Sequence, residues 1–156
     1  RGGLRYDPDS VYLSGMLANF GKLALGHNFP ADMDDIIRIA DFDEQICEQS
    51  RRVGIHEWEA AGLVALRWHL PGIPRCVMQN ANNEHYTGDH WELVLLVGYI
   101  LRYVRMMESG RPEPCARLIR ALGVGEAELN RILGIIPDMH DELRALGNHL
   151  AGQGNA

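Results

Sequence analysis

The chain has 156 residues, 46% of them hydrophobic, and a chain of this size buries roughly 70% of its unfolded surface in one compact unit. Its net charge is −6, and its 15 basic residues are scattered apart from the pair at 51–52. Dispersed basic charge argues against nucleic acid as the main ligand. The longest apolar stretch, residues 93–97, is far shorter than the roughly 20 residues of a membrane span, so we expect no membrane association.

The predicted elements are helices from one end of the chain to the other. Asp9 or Ser10 is the predicted N-cap of a first helix over residues 10–25, which Gly26 is predicted to stop. Pro30 and the aspartates after it are predicted to open a second helix that includes Ile36, Ile37 and Ala40. Further helices are predicted over residues 43–53, 56–69, 73–80 and 91–107, and then, after a linker at 110–114, near 115–122, 126–133 and 137–150.

The helix over residues 91–107 is the most apolar, so we expect it to be central. Residues 79–90 form the longest polar stretch and are predicted to be a surface loop. No segment alternates apolar and polar residues as a half-buried strand does, so the predicted fold class is all-α. We expect five apolar residues to share the helical core: Phe20, Trp58, Leu63, Trp68 and Leu96.

The three cysteines, Cys47, Cys76 and Cys115, lie far apart and include no C-x-x-C pair. This spacing indicates neither a disulfide framework nor a zinc knuckle, and it fits a reduced cytoplasmic environment. Cys47 and Cys76 each lie in a helical pattern without an adjacent base. We therefore interpret both as buried structural cysteines rather than as nucleophiles.

Two motifs carry a family resemblance. Residues 12–23 resemble the central motif of HD-domain phosphohydrolases, in which a His-Asp pair is followed by isoleucine, glycine and lysine. Here the pair has become Ala18-Asn19, and Gly21-Lys22 is retained. The second motif has His56 opening a helix, a glycine six residues later, and then Trp-His-Leu-Pro at 68–71. In this order and at this spacing, the two motifs are similar to those of the HDOD family, the output-domain branch of the HD superfamily.

The resemblance implies an HD-domain-like helical bundle. Residues 1–114 would form the C-terminal part of an HDOD-like domain whose upstream half precedes this chain, and residues 115–156 would form a helical tail packed on the same domain. Without the upstream half, the first helix and the helix beginning at Trp91 would lack a neighbour on one side. We expect a second chain, the upstream half or the tail to cover that apolar surface.

An HD hydrolase holds one or two divalent ions with imidazole and carboxylate ligands, and this chain lacks most of them. Ala18 has no donor atom and Asn19 offers only a neutral amide. The histidine pair of active relatives would fall near Ala81 and Asn82, and the later aspartate would fall in residues 97–101, where there is no acid. We therefore expect no metal, no cofactor and no catalytic residue.

The remaining histidines have structural interpretations. His56 matches a ligand position, but its partner ligands are missing, so we interpret it as a helix-start residue whose imidazole bonds into the core. His85 and His90, near Glu84 and Asp89, have the composition of a separate metal site. The simpler interpretation is a solvated loop.

The resemblance thus implies a non-catalytic bacterial signal-transduction domain of the cytoplasm, not an enzyme. It would act as a regulatory scaffold by docking with other signalling proteins or fused regulatory domains, or as a homodimer, and it would bind neither nucleic acid nor membrane. Two alternatives remain open. One is a metal-dependent phosphohydrolase or cyclic-dinucleotide phosphodiesterase with a displaced site; the other is a nucleotide-binding receptor without turnover.

Overall fold

The computed structural model describes residues 6–106, 113, 116–123 and 125–139, with helical positions 141, 142, 145 and 148. These residues form a helical bundle and contain no strand, which confirms the predicted all-α class. Within this part of the chain, no helix is long and apolar enough to cross a membrane. In chain order the helices are α1 (Pro8–Leu17), α2 (Phe20–Asn28), α3 (Pro30–Ile36), α4 (Phe42–Val53), α5 (Glu57–Arg67), α6 (Gly72–Asn80), α7 (Trp91–Arg105), α8 (Ala116–Leu122) and α9 (Glu126–Leu133).

The first predicted helix is in fact two helices, α1 and α2. The chain turns at Ala18 and Asn19, where Asn19 has φ −88° and ψ −1°, so the prediction of one continuous helix over residues 10–25 is wrong. The predicted N-cap is wrong as well. Asp7 caps α1, because its side chain accepts a hydrogen bond from the backbone N–H of Ser10 at 2.9 Å.

The end of α2 also differs from its prediction. Gly26 does not stop the helix; a glycine inside a helix costs only about 1 kcal/mol, which tertiary packing can offset. The helix ends at Asn28, and the next residue, Phe29, has φ −132° and ψ 54°, because the proline ring that follows disfavours helical backbone in the residue before it. Pro30 opens α3 as predicted, but this helix has only seven residues and leaves Ile37 and Ala40 outside.

Helices α4 to α9 begin and end within two residues of their predicted bounds. Gly54 follows α4 in the left-handed conformation, with φ 89°, which a glycine adopts without steric cost. The predicted linker at residues 110–114, apart from Glu113, lies outside the described residues. The same holds for much of the predicted helix over 137–150, where the described positions are helical.

The retained glycine of the first motif brings α2 against the start of α5. A Cβ atom at Gly21 would collide with the carbonyl oxygen of Glu57 and would lie 2.6 Å from the backbone nitrogen of Ala61. Only glycine allows this approach of the two backbones. Gly98 plays the same part in α7, because a Cβ there would collide with the carbonyl oxygen of Ala81 at the end of α6.

The predicted core set is only partly buried. Trp58 lies in the main apolar cluster and Leu96 packs against it. Leu63 and Trp68, however, are 58% and 52% exposed, and Phe20 is half-buried with its ring 5.2 Å from that of Trp68. The prediction that these residues share the core is therefore wrong for Leu63 and Trp68. Apart from Trp58 and Glu57, the buried face of α5 consists of alanine and glycine, which admit α2 and α6 closely, whereas Leu63 and Leu66 face outward.

Helices α8 and α9 cover one face of α7. The shared apolar cluster comprises Leu95, Tyr99, Tyr103, Leu118, Leu129 and Leu133. Arg117 of α8 also lies over the Trp91 ring at 4.1 Å and donates to the carbonyl oxygen of Tyr86 at 2.8 Å. The tail therefore supplies α7 with its neighbour, whereas α1 leaves Tyr12 and Met16 exposed.

Candidate functional site

Two of the expected metal-ligand positions lie in the same part of the bundle. Ala18, at the end of α1, and Ala81, just after α6, are both buried in the apolar cluster that contains Trp58. The position of the first motif's histidine and the position expected for the histidine pair therefore lie in one apolar cluster. In this chain apolar side chains occupy both positions.

A buried ion pair lies beside this cluster. Glu57, which directly follows His56, is 3% exposed, and its carboxylate pairs with Arg105 at the end of α7. Its second oxygen accepts a hydrogen bond from the Gln49 amide at 3.1 Å, and its backbone N–H donates to the Gln49 oxygen at 2.7 Å. A buried charge is tolerated only when it is paired and hydrogen-bonded in this way.

The Arg105 guanidinium is held on several sides. Its central carbon lies 4.6 Å from the centre of the Phe42 ring and 5.4 Å from that of Trp58. Nη2 donates to the side-chain oxygen of Asn19 at 3.4 Å, so the second residue of the altered pair contacts this cation. Nη1 is buried and has no hydrogen-bond partner among the described residues.

Lys22 is a further cation near Glu57. Burial lowers the pKa of Lys22, the carboxylate of Glu57 acts in the opposite direction, and the positive charge of Arg105 lowers it again. The lysine of the motif thus belongs to a mixed group of charges. Glu57 thus interacts with two cations, Lys22 and Arg105, and with the neutral amide of Gln49.

His56 is the N-cap of α5. Its Nδ1 accepts a hydrogen bond from the backbone N–H of Glu59 at 3.3 Å, and the Glu59 carboxylate accepts from the backbone N–H of His56 at 3.0 Å. This reciprocal pair is a capping box. The helix-start interpretation is confirmed, but the imidazole bonds to the first turn of the helix and not into the core.

A cavity of about 520 Å³ opens next to Arg105. It is lined by residues of α4, α5 and α7, by the two residues just before α4, and by the loop that follows α6. Asn82 is one of its lining residues, so this degenerate position faces the cavity rather than the apolar cluster. We call it the Arg105 cavity; its lining residues are Ala40, Asp41, Phe42, Asp43, Ile46, Trp58, Ala81, Asn82, Glu84, Gly98, Arg102, Arg105 and Met106.

The polar loop before α7 uses its charged side chains in separate contacts. Glu84 pairs with Arg102 at 2.6 Å. The His90 ring packs edge-on against Tyr6 at 5.6 Å, and His85 is exposed. Among the residues that the structure describes, no three His, Cys, Asp or Glu side chains are grouped so that they could hold a metal ion.

The cysteines differ from their interpretation. Cys47 is exposed, so the prediction that it is buried is wrong: it lies on the outward face of α4. Cys76 is half-buried; its thiol donates to the carbonyl oxygen of Asp89 at 3.1 Å and lies 3.3 Å from the Tyr86 hydroxyl. The hydrogen bond between the Cys76 thiol and the Tyr86 hydroxyl, together with burial, raises the pKa of Tyr86 to about 12. Cys115 lies outside the described residues.

Sequence reasoning missed the residues that form the polar part of this site. Glu57 directly follows a motif histidine in the first turn of a predicted helix. An acidic residue there is common, because it interacts favourably with the helix dipole, so Glu57 gave no signal of a buried ion pair. Gln49 and Arg105 come from other helices and belong to no motif. Only the packing of α4, α5 and α7 brings the three together.

Comparison with protein-family models, curated proteins and solved structures finds no match to this chain. The HDOD resemblance therefore rests on the two motifs alone.

Proposed function

We propose that this chain is a non-catalytic signalling domain of the HDOD type, which acts in the cytoplasm as a regulatory scaffold. The observation that carries the proposal is the burial of Ala18 and Ala81 together, beside the ion pair of Glu57 and Arg105. Hydrolysis by an HD enzyme requires metal ligands at these positions. Alanine provides no donor atom, and the nearby Glu57 carboxylate is already paired with Arg105 and is therefore not free to bind a metal ion.

Exposed apolar side chains support the docking role. Large apolar residues of α1, α2 and α5, and of the turn after α5, face outward: Tyr12, Met16, Leu23, Leu63, Leu66 and Trp68. Extended exposed apolar surface is typical of sites where proteins interact. The partner would be another signalling protein, a fused regulatory domain or a second copy of this chain.

Elemental analysis with an activity assay tests the loss of catalysis. The purified protein, equilibrated with Zn²⁺, Mn²⁺ or Fe²⁺ and then desalted, should retain far less than one metal ion per chain. It should hydrolyse neither a phosphomonoester nor a cyclic dinucleotide, and His56→Ala should change neither result. Stoichiometric metal, with turnover that His56→Ala abolishes, would instead identify a phosphohydrolase with a displaced site.

Sedimentation velocity tests the homodimer form of docking. If a second copy binds through α5, the wild-type protein should associate as its concentration rises, and a Leu63→Glu/Leu66→Glu variant should remain monomeric. Arg67→Glu is the matched control, because it changes an exposed residue of the same helix that is already charged. A wild-type protein that stays monomeric at all concentrations would restrict docking to other partners.

A further inference from the structure

The Arg105 cavity is large enough to receive a side chain of another molecule. Its volume of about 520 Å³ lies within the range typical of binding pockets, roughly 300–1,000 Å³. The larger apolar side chains of its lining are Phe42, Ile46, Trp58 and Met106. Such a lining favours a ligand that places an apolar group inside the cavity.

The two arginines that line the cavity do not make it positively charged. Arg105 is paired with the buried Glu57, and Arg102 is paired with Glu84 at 2.6 Å. Each guanidinium charge is therefore compensated within the protein. An anionic ligand would gain little from either arginine.

The uncompensated charge at the cavity is negative. Asp41 and Asp43 line the cavity, and both are exposed. Neither forms an ion pair within the part of the chain that the structure describes. The Asp41 carboxylate is held at the start of α4, because it accepts a hydrogen bond from the backbone N–H of Glu44 at 2.8 Å. A positively charged group of a ligand would therefore meet two carboxylates beside the apolar lining.

The helices α3 and α4, which pack against each other, add to this negative charge. Asp34 and Glu44 are exposed and, among the described residues, belong to no ion pair. Arg38 is the one base in the sequence between residues 34 and 44. Four carboxylates without an ion pair thus stand against one base. A ligand with several positive charges along its length, such as a peptide, complements this surface better than a small amine with a single charge.

We propose that the Arg105 cavity and the carboxylates beside it form a docking site for a basic peptide segment of a partner protein. A large apolar side chain of the peptide enters the cavity, and neighbouring lysine or arginine side chains pair with Asp41, Asp43 and Glu44. This inference rests on the proposed docking function and names the chemistry of the partner. Its failure is distinguishable from a failure of that function, because metal content, turnover and self-association are measured without a peptide.

Selection of phage-displayed random dodecapeptides on the immobilised protein tests the chemistry of the partner. The enriched peptides should carry a net positive charge together with at least one large apolar side chain. The most enriched peptide is then synthesised and titrated calorimetrically. Replacing its large apolar residues by alanine should weaken binding about tenfold or more, because the cavity is then left empty. Raising NaCl from about 50 to about 500 mM should also weaken binding, because salt screens the exposed charges.

Variants of the protein locate the binding. Asp43→Lys should weaken the peptide about tenfold or more, because it reverses a charge at the cavity. Glu128→Lys is the matched control: it makes the same change in net charge at an exposed position of α9 outside the lining, and it should change binding little. Ala40→Trp, which places a bulky side chain at an exposed lining position, should also weaken binding. Melting curves by circular dichroism establish that each variant is folded.

Four results would overturn the proposal. The selection enriches no peptide, or it enriches neutral or acidic ones. Asp43→Lys weakens binding no more than Glu128→Lys does. The peptide binds a folded Ala40→Trp variant as tightly as the wild-type protein. Phenethylamine, a small amine with one apolar ring, binds as tightly as the peptide, which would identify a small-molecule site instead.

Discussion

Replacement of Arg105 by methionine tests whether its ion pair with Glu57 stabilises the interior. The two side chains are 17% and 3% exposed, so this is a buried pair. Loss of one partner of a buried pair costs about 3–5 kcal/mol, because the remaining charge has no compensation. Lys22 also interacts with Glu57 and compensates part of the charge, so we expect a loss at the lower end, about 3 kcal/mol.

Two further variants separate the charge effect from packing. Arg105→Met combined with Glu57→Gln removes the uncompensated charge, so the double variant should be more stable than Arg105→Met by about 1 kcal/mol or more. Arg51→Met is the matched control. Arg51 also pairs with a glutamate, Glu48 at 2.5 Å, but its side chain is 70% exposed, so no measurable loss is expected.

Urea unfolding followed by circular dichroism measures all four proteins under the same conditions, and unchanged slopes of free energy against urea would show that the comparison is valid. If Arg105→Met were no less stable than Arg51→Met, the pair would not stabilise the interior. If the double variant were less stable than Arg105→Met, the uncompensated charge would not be the cause of the loss.

Three other predictions follow from the packing and the pKa shifts. Gly21→Ala should destabilise the protein by about 3 kcal/mol or more, because the added methyl group collides with the α5 backbone. In the control Gly15→Ala the added methyl group meets no atom within 4 Å, so this variant should be neutral or more stable by up to about 1 kcal/mol. Thermal unfolding measures both variants. Trp58→Ala should cost about 3–5 kcal/mol in urea unfolding and Trp68→Ala clearly less, because the first ring is buried and the second is half in solvent; equal losses would contradict the description of the core. The pKa of Tyr86 is raised from 10.0 to about 12, so its contribution to stability is fully present below pH 10 and is lost as the pH rises towards 12. The pKa of Tyr6 is also raised to about 12, so ultraviolet titration of tyrosinate should show late-titrating tyrosines, of which Tyr86→Phe removes one. Titration of every tyrosine near pH 10 in the folded protein would contradict this prediction.

Local chemistry explains which parts of the fold could be predicted. Pro30 opens a helix because its fixed φ suits the first turn, and Gly54 ends one because it adopts a positive φ freely. His56 begins α5 with a capping box that involves only residues three positions apart. Such signals depend on neighbours along the chain, so they can be read without the fold.

Burial could not be read in the same way. Leu63 and Trp68 are large and apolar, yet they face outward, because the bundle places the alanine face of α5 against its neighbours. Cys47 is exposed for a similar reason: the buried residue of α4 is Gln49, which is held by its bonds to Glu57. The hydrophobicity of a residue alone does not determine whether its face of the helix packs against another element.

The sequence by itself determined which donor atoms exist: Ala18 and Ala81 have none, whatever the fold. It also determined the helical class through the period of its apolar residues. Only the tertiary structure decided that a fixed cation, Arg105, stands beside Glu57 and a cavity. The physical reason is that an ion pair between α5 and α7 depends on how the whole bundle packs. Gly21 lets α2 approach α5, and Gly98 lets α7 approach Ala81, through contacts between residues remote in the chain.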